Sequence, residues 1–300
     1  MAFSLATVTQ WMAGSMTALV TPFKGGEVDY DAYAALIERQ IAAGTRAVIP
    51  VGTTGESATL SEREHIAVVT HCVETVKGRI PVIAGAGSNN TVAAIRLAEQ
   101  AEGAGADALL ATTGYYNKPP QSGIEAHYRH LAEATDLPIL VYNVPGRTQT
   151  DVAVETLARL STVPTIVGVK DATGDLGRVA LHRRACGKDF IQLSGEDMTA
   201  VGYNAMGGQG CISVTANVAP EQCAQLQDAC LNGRFADALE LQDRLTALHE
   251  ALFVETSPGP TKYALARLGL CREELRLPLV PTSERSKAAV DRALDELGLL

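Results

Sequence analysis

The chain has 300 residues, 46% hydrophobic and 20% charged, with 34 acidic against 25 Lys and Arg side chains, a net charge of -9. A chain this long buries about three-quarters of its unfolded surface and needs no disulfide or metal staple, and an acidic balance with no basic stripe excludes a general nucleic-acid binder and an anionic-membrane binder. No apolar run approaches the roughly 18 residues that span a bilayer, and residues 1–15 contain no Lys or Arg, so no secretory leader is expected.

In chain order, eight short apolar runs rich in β-branched residues recur at 16–21, 47–51, 81–86, 106–112, 138–142, 165–170, 190–194 and 210–214. Each is bounded by Gly, Pro, Asn or Asp, as strand ends are. Their nearly continuous apolar character predicts parallel strands buried on both faces. Helical periods fill the gaps. Tyr30, Tyr33, Ala34, Ile37 and Ile41 fall on one helix face. Ser61-Glu62-Arg63-Glu64 has the form of a capping box. Asn90 or Thr91 is expected to cap a helix ending near Gly103 or Gly105, and Asp151 and Asp175 to cap later ones. Gly25-Gly26 reads as a short polar loop.

Eight β–α alternations predict an α/β fold, a (β/α)8 TIM barrel. A doubly wound sheet would open on a GxGxxG turn, and none follows the first run. Beyond residue 220 the pattern is helical: Leu241, Leu245, Leu248 and Leu252 are helically spaced, Pro258 and Pro260 interrupt, and further helices are expected at 261–270 and 284–297. The predicted organisation is a catalytic barrel over 1–230 and a C-terminal helical extension over 231–300. The six cysteines contain no CxxC pair or zinc spacing, and read as reduced thiols in a cytoplasmic protein.

Barrel chemistry sits at the C-terminal ends of strands. Lys170 ends an apolar run there, where burial disfavours an ammonium and a neutral amine attacks carbonyls to form a Schiff base. The bland alternative is a buried salt bridge with Asp171, which alternation weakens by turning Asp171 to the other face. Gly52-Thr53-Thr54-Gly55 offers hydroxyls and backbone N–H groups to a carboxylate, or is an ordinary strand-to-helix turn. Tyr142 is either a core tyrosine or, bonded to Thr53, a proton relay. Arg147 either clamps a second carboxylate or is a surface arginine. Cys211 reads as buried and inert.

The segments GTTGES (52–57), YYNKP (115–119), YNVPGRT (142–148) and GVKDATGD (168–175) together resemble the dihydrodipicolinate synthase family, a branch of the pyruvate-dependent aldolases that includes N-acetylneuraminate lyase. The resemblance runs from about Gly14 to the C-terminus. It implies a 4-hydroxy-tetrahydrodipicolinate synthase of lysine and diaminopimelate biosynthesis, condensing pyruvate with L-aspartate 4-semialdehyde. It implies that Lys170 forms the imine with pyruvate, and that Tyr142, Thr53 and Tyr116 form a proton relay, Tyr116 reaching in from a neighbouring subunit. It implies that Thr54 binds the pyruvate carboxylate, that Arg147 receives the semialdehyde carboxylate, and that Gly195 and Ile212 offer main-chain contacts near it. No metal or separate cofactor is implied, since the lysine imine is the electron sink. The implied assembly is a homo-oligomer, at least a dimer and by the family pattern a homotetramer. Sister aldolases for N-acetylneuraminate or 2-keto-3-deoxy sugar acids, and a non-catalytic keto-acid binder, are the competing readings. Gly-Thr-Thr-Gly, where sialic acid lyases tend to have Gly-Ser-Thr-Gly, favours the synthase. At the positions of the family's lysine feedback site stand Glu62 and Ala93, and Ala93 offers a lysine ammonium no acceptor, so weak or absent inhibition by lysine is expected.

Overall fold

The computed structural model of the protein describes residues 11–300. So far as they concern residues 1–10, the leader reading and the start of the predicted barrel segment lie outside the described residues. Eight strands form the frame: β1 (Gly14–Ala18), β2 (Ala47–Ile49), β3 (Ile83–Gly85), β4 (Ala108–Thr112), β5 (Ile139–Asn143), β6 (Ile166–Asp171), β7 (Ile191–Ser194) and β8 (Gly210–Ser213). Each falls on a predicted run, though β1 begins two residues before its run and β5 and β6 each end one residue past theirs. They pair in parallel in the order β2-β1-β8-β7-β6-β5-β4-β3. A parallel bridge from Val48 to Val82, and the Gly85 N–H donating to the Pro50 carbonyl at 3.1 Å, join the two ends into a (β/α)8 barrel.

Both strand faces are buried, which is why the runs lack polar alternation. Met16, Ile49, Ile83, Leu110, Leu140, Leu193 and Ile212 pack inside the barrel. Val48, Leu109, Val141 and Val169 pack outward under the helices. Those helices are α1 (Tyr30–Ala42), α2 (Glu62–Val76), α3 (Thr91–Gly103), α4 (Gln121–Glu133), α5 (Val154–Leu160), α6 (Gly177–Cys186), α7 (Ala200–Ala205) and α8 (Pro220–Leu231).

Local signals were sound where the capping group had no competing partner. In α1, Tyr33 and Ile37 are buried as the stripe predicted, but Leu36 and Gln40 widen it. Gln40 is tolerated inside because its amide accepts from Thr17 and Thr45, each at 2.7 Å, and donates to the Ala216 carbonyl at 2.8 Å. The capping box at Ser61 and Glu64 and the Asn90 cap form as expected. Asp151 does not cap α5. Its carboxylate is taken by Asn143 and Arg178, and the Ala153 N–H at the helix start donates instead to Gln121 Oε1 at 3.0 Å. Asp175 does accept from a first-turn N–H, that of Gly177 at 2.9 Å, although Leu176 holds the cap position. Gly25-Gly26 is the turn of a two-stranded hairpin, Phe23–Lys24 with Glu27–Val28, rather than a plain loop.

Three further helices follow: α9 (Phe235–Ala251), α10 (Gly259–Arg267) and α11 (Glu284–Glu296). Leu245, Leu248 and Leu252 are buried, Leu241 half-buried. One apolar cluster runs from Val20, Leu36 and Val201 through α8 into α9, α10 and α11. The core is therefore continuous across residue 230. All six cysteines are free. Among the described residues no helix is long and apolar enough to cross a membrane.

Candidate active site

Strands β5 and β6 pair with Tyr142 opposite Lys170 and Asn143 opposite Asp171. Alternation sends the first pair inward and the second outward. Tyr142 and Lys170 are both buried, and Lys170 Nζ lies 4.3 Å from the Tyr142 ring centroid. A cation over an aromatic face is attracted by the ring quadrupole. The salt bridge weighed for Lys170 is absent among the described residues. Asp171 faces the other way, paired with Arg178 at 3.1 Å and accepting from the Thr173 N–H at 2.8 Å. Gly195, just past β7, lies against the Lys170 side chain and donates its N–H to the Asp171 carbonyl at 2.7 Å. Ile212 on β8 is buried in the same inner cluster as Tyr142.

The GTTGES loop rises from β2. Val51 and Glu56 take left-handed backbone conformations with φ of 49° and 53°, and a single 3-10 turn, Ser57–Thr59, leads toward α2. The Thr21 hydroxyl pins the loop by donating to the Gly55 carbonyl at 2.7 Å. Thr54 is buried. Thr53, Tyr142 and Arg147 line a cavity of about 580 Å³ at the barrel mouth. Lys170, Thr54, Gly195 and Ile212 are not among the lining residues; Lys170 lies against the ring of Tyr142, which is. Arg147 sits on the turn Pro145–Thr148 after β5, its guanidinium 3.5 Å from the Ser257 carbonyl.

Tyr116 is not brought to this group. It is 91% exposed, with φ of 70°. The neighbouring Asn117 side chain anchors the loop by donating to the Asn89 carbonyl at 2.9 Å. Within the chain, then, the structure gathers Lys170, Tyr142, Gly195 and Ile212, brings Thr53 and Arg147 to the cavity shared with Tyr142, and leaves Tyr116 outside.

Sequence reasoning missed the far wall. Thr256, Ser257, Pro278 and Leu279, from the C-terminal extension, line the cavity. Lys262 of α10 is fully buried and pairs with Glu56 at 2.5 Å, over the face of Phe23. Burial pushes the Lys262 ammonium down from the usual lysine range, and Glu56 opposes that shift. The two residues are 206 positions apart, so no local signal could have joined them. Arg96, on α3, also lines the cavity and lies 3.8 Å from Glu62.

Burial also sets the other ionisable groups nearby. Desolvation raises the Glu196 carboxyl, while the Lys170 charge works against that rise. Burial pushes the Cys211 thiol well above the ordinary thiol range. Cys211 is buried, as the sequence reading expected.

Comparisons with known proteins agree with this frame. The profile of the Dihydrodipicolinate synthetase family matches residues 11–297. The chain is 58% identical to the 4-hydroxy-tetrahydrodipicolinate synthase of Parvibaculum lavamentivorans, covering 96% of this chain and 99% of that one. It is 56% identical to the enzyme of the same name from Phenylobacterium zucineum, covering 96% and 98%. Among solved structures, the chloride-inhibited dihydrodipicolinate synthase of Acinetobacter baumannii, complexed with pyruvate, superposes with a TM-score of 0.94 at 42% identity, covering 96% of this chain and all of that one. A barrel with a buried lysine and tyrosine on paired strand ends, and a match over nearly its whole length, make this chain a member of the dihydrodipicolinate synthetase family.

Proposed function

We propose that this chain condenses pyruvate with L-aspartate 4-semialdehyde, using Lys170 as the imine-forming amine. The observation that carries the reading is the buried Lys170–Tyr142 pair, 4.3 Å from amine to ring centroid, with no carboxylate in salt bridge to the lysine among the described residues. The neutral Lys170 amine attacks the pyruvate keto carbon, the Tyr142 hydroxyl gives its proton to the departing hydroxyl, and water leaves behind an iminium beside a Tyr142 phenolate. The iminium withdraws electrons, so the Tyr142 phenolate takes a proton from the adjacent methyl group and an enamine results. The enamine carbon bonds to the aldehyde carbon, whose oxygen gains the proton held by Tyr142. The amine of the semialdehyde part then attacks the iminium carbon, closes the ring and releases Lys170. The lysine adduct supplies the electron sink, so this sequence calls on no metal or separate cofactor.

Thr53 lines the same cavity as Tyr142 and is assigned to the proton relay. Thr54 is assigned to the pyruvate carboxylate, Arg147 to the semialdehyde carboxylate, and Gly195 and Ile212 to main-chain contacts beside it. Tyr116, exposed on its own protomer, is assigned to the relay of a second copy. This role requires at least a dimer, and the family pattern extends it to a tetramer. The compartment assigned is the cytoplasm, in keeping with six free cysteines.

Borohydride reduction in the presence of pyruvate tests the imine. The parent protein is expected to gain the mass of the reduced adduct on Lys170, and Lys170→Ala to gain none. An unlabelled parent, or a label elsewhere, overturns the reading. Turnover of aspartate semialdehyde, without cleavage of N-acetylneuraminate or 2-keto-3-deoxy sugar acids, separates the synthase from its sister aldolases.

A further inference from the structure

We propose that Arg178, on the outer side of the barrel, is a positioning residue that sets Lys170 against Tyr142. The proposal rests on the reading of Lys170 as the imine-forming amine. Tyr142 and Lys170 point inward from paired positions, and the next residues, Asn143 and Asp171, are paired and point outward. Arg178, in the first turn of α6, reaches both strand ends. Its Nε donates to Asp171 Oδ2 at 3.1 Å, its Nη1 to Asp151 Oδ2 at 3.1 Å, and its Nη2 to the Val152 carbonyl at 2.7 Å. Asp151 Oδ1 in turn accepts from the Asn143 side chain at 2.8 Å, whose Oδ1 accepts from the Val152 N–H at 3.1 Å.

Three side-chain links, Asn143–Asp151, Asp151–Arg178 and Arg178–Asp171, thus close a ring with the paired ends of β5 and β6. The last ladder bond between these strands is the Ala172 N–H to the Asn143 carbonyl, at 2.9 Å. Beyond it these links tie the two strand ends side by side. The Arg178–Asp171 part of the ring is well sheltered: the Arg178 side chain is 12% exposed and that of Asp171 1%. A carboxylate that buried needs a fixed cationic partner, and a guanidinium meets two acceptors from one rigid plane. Each ring strand-residue is the immediate chain neighbour of an inward one. A shift of Asp171 or Asn143 therefore carries Lys170 or Tyr142 with it.

Misplacement of a reacting group by an ångström costs up to roughly 100-fold in rate. Arg178→Ala is expected to slow both kcat and the rate of borohydride-trappable adduct formation by about 10- to 100-fold, with KM for pyruvate little changed. Arg178→Lys should recover part of the loss. Asp151→Asn, which opens the ring at its most exposed member, should give a smaller loss in the same parameters. Arg159→Ala removes another outer ion pair, more exposed, to Glu125 at 2.6 Å, and should keep the parent rate. Circular dichroism and thermal melts ensure that folded protein is compared; if Arg178→Ala does not fold, Arg178→Lys and Asp151→Asn carry the test. A parent that labels while folded Arg178 and Asp151 variants label equally fast overturns this inference alone, as does an equal loss in Arg159→Ala. A parent that does not label overturns the imine reading and this inference with it.

Discussion

A Cβ built on Gly195 would stand 2.9 Å from Cε of Lys170 and 2.8 Å from the Ala172 Cβ. The space the lysine stem occupies exists because position 195 has no side chain. Gly195→Ala must displace one of the two. Lys170, a chain with four rotatable bonds, gives way more readily than the end of β6. The expected outcome is a loss of about 100-fold in kcat, with the melting temperature close to the parent's. Steady-state kinetics beside a thermal melt checks it; a parent-like kcat would show that the lysine is held by something else.

The pair Glu56–Lys262 binds the GTTGES loop to the C-terminal helices. Both side chains are fully buried, and Glu56 Oε2 also accepts from the Arg276 N–H at 3.1 Å. Removing one partner strands a charge in the interior. Lys262→Ala is expected to destabilise by about 3–5 kcal/mol, while Glu56→Gln combined with Lys262→Met loses much less. Urea unfolding of the parent and both variants measures this. Equal losses would mean that packing, not the stranded charge, sets the cost.

Glu64 gives the fold a pH dependence with a defined sign. Its hydrogen bonds from Arg276 first, and from Ser61, hold its carboxyl down at about 2. The unfolded chain takes up protons at higher pH than the folded one. The stabilisation is therefore complete above the ordinary carboxylate value near 4.5 and fades as pH falls toward 2. Glu64→Gln keeps the helix cap and loses the charge. It should be less stable than the parent by roughly 1 kcal/mol at neutral pH, and the gap should close in acid. A gap that stays constant from pH 6 to pH 3, within roughly 0.3 kcal/mol on the same scale, contradicts the assignment.

Lysine should inhibit weakly or not at all. Ala93 brings no acceptor to the outer part of the cavity, and Glu62 is already engaged there by Gln100 at 2.9 Å and Arg96 at 3.8 Å. The Arg96 guanidinium adds a like charge against an incoming ammonium. Activity measured against lysine concentration decides it; half-inhibition at submillimolar lysine refutes the expectation.

The barrel and its inward lysine were legible in the residue order because they rest on local rules. Apolar runs bounded by turn residues mark buried strands, and strict alternation sends Lys170 and Asp171 to opposite faces whatever the rest of the chain does. The capping box at Ser61 needed only three residues. The same local rules misjudged Asp151. A carboxylate caps a helix only if no stronger partner claims it, and Arg178, 27 positions later, does.

From its sequence alone this protein was determined to be an eight-fold alternation of strand and helix, with a lysine and a tyrosine at the ends of consecutive strands. Tertiary structure alone decided that these two side chains meet, that Gly195 leaves room for the lysine stem, and that Asn143, Asp151, Arg178 and Asp171 close a ring behind them. It also decided that the C-terminal helices complete the cavity and bury Lys262 against Glu56. Period and capping depend on neighbours a few residues apart, whereas ion pairs and close contacts depend on distances that only the closed barrel sets.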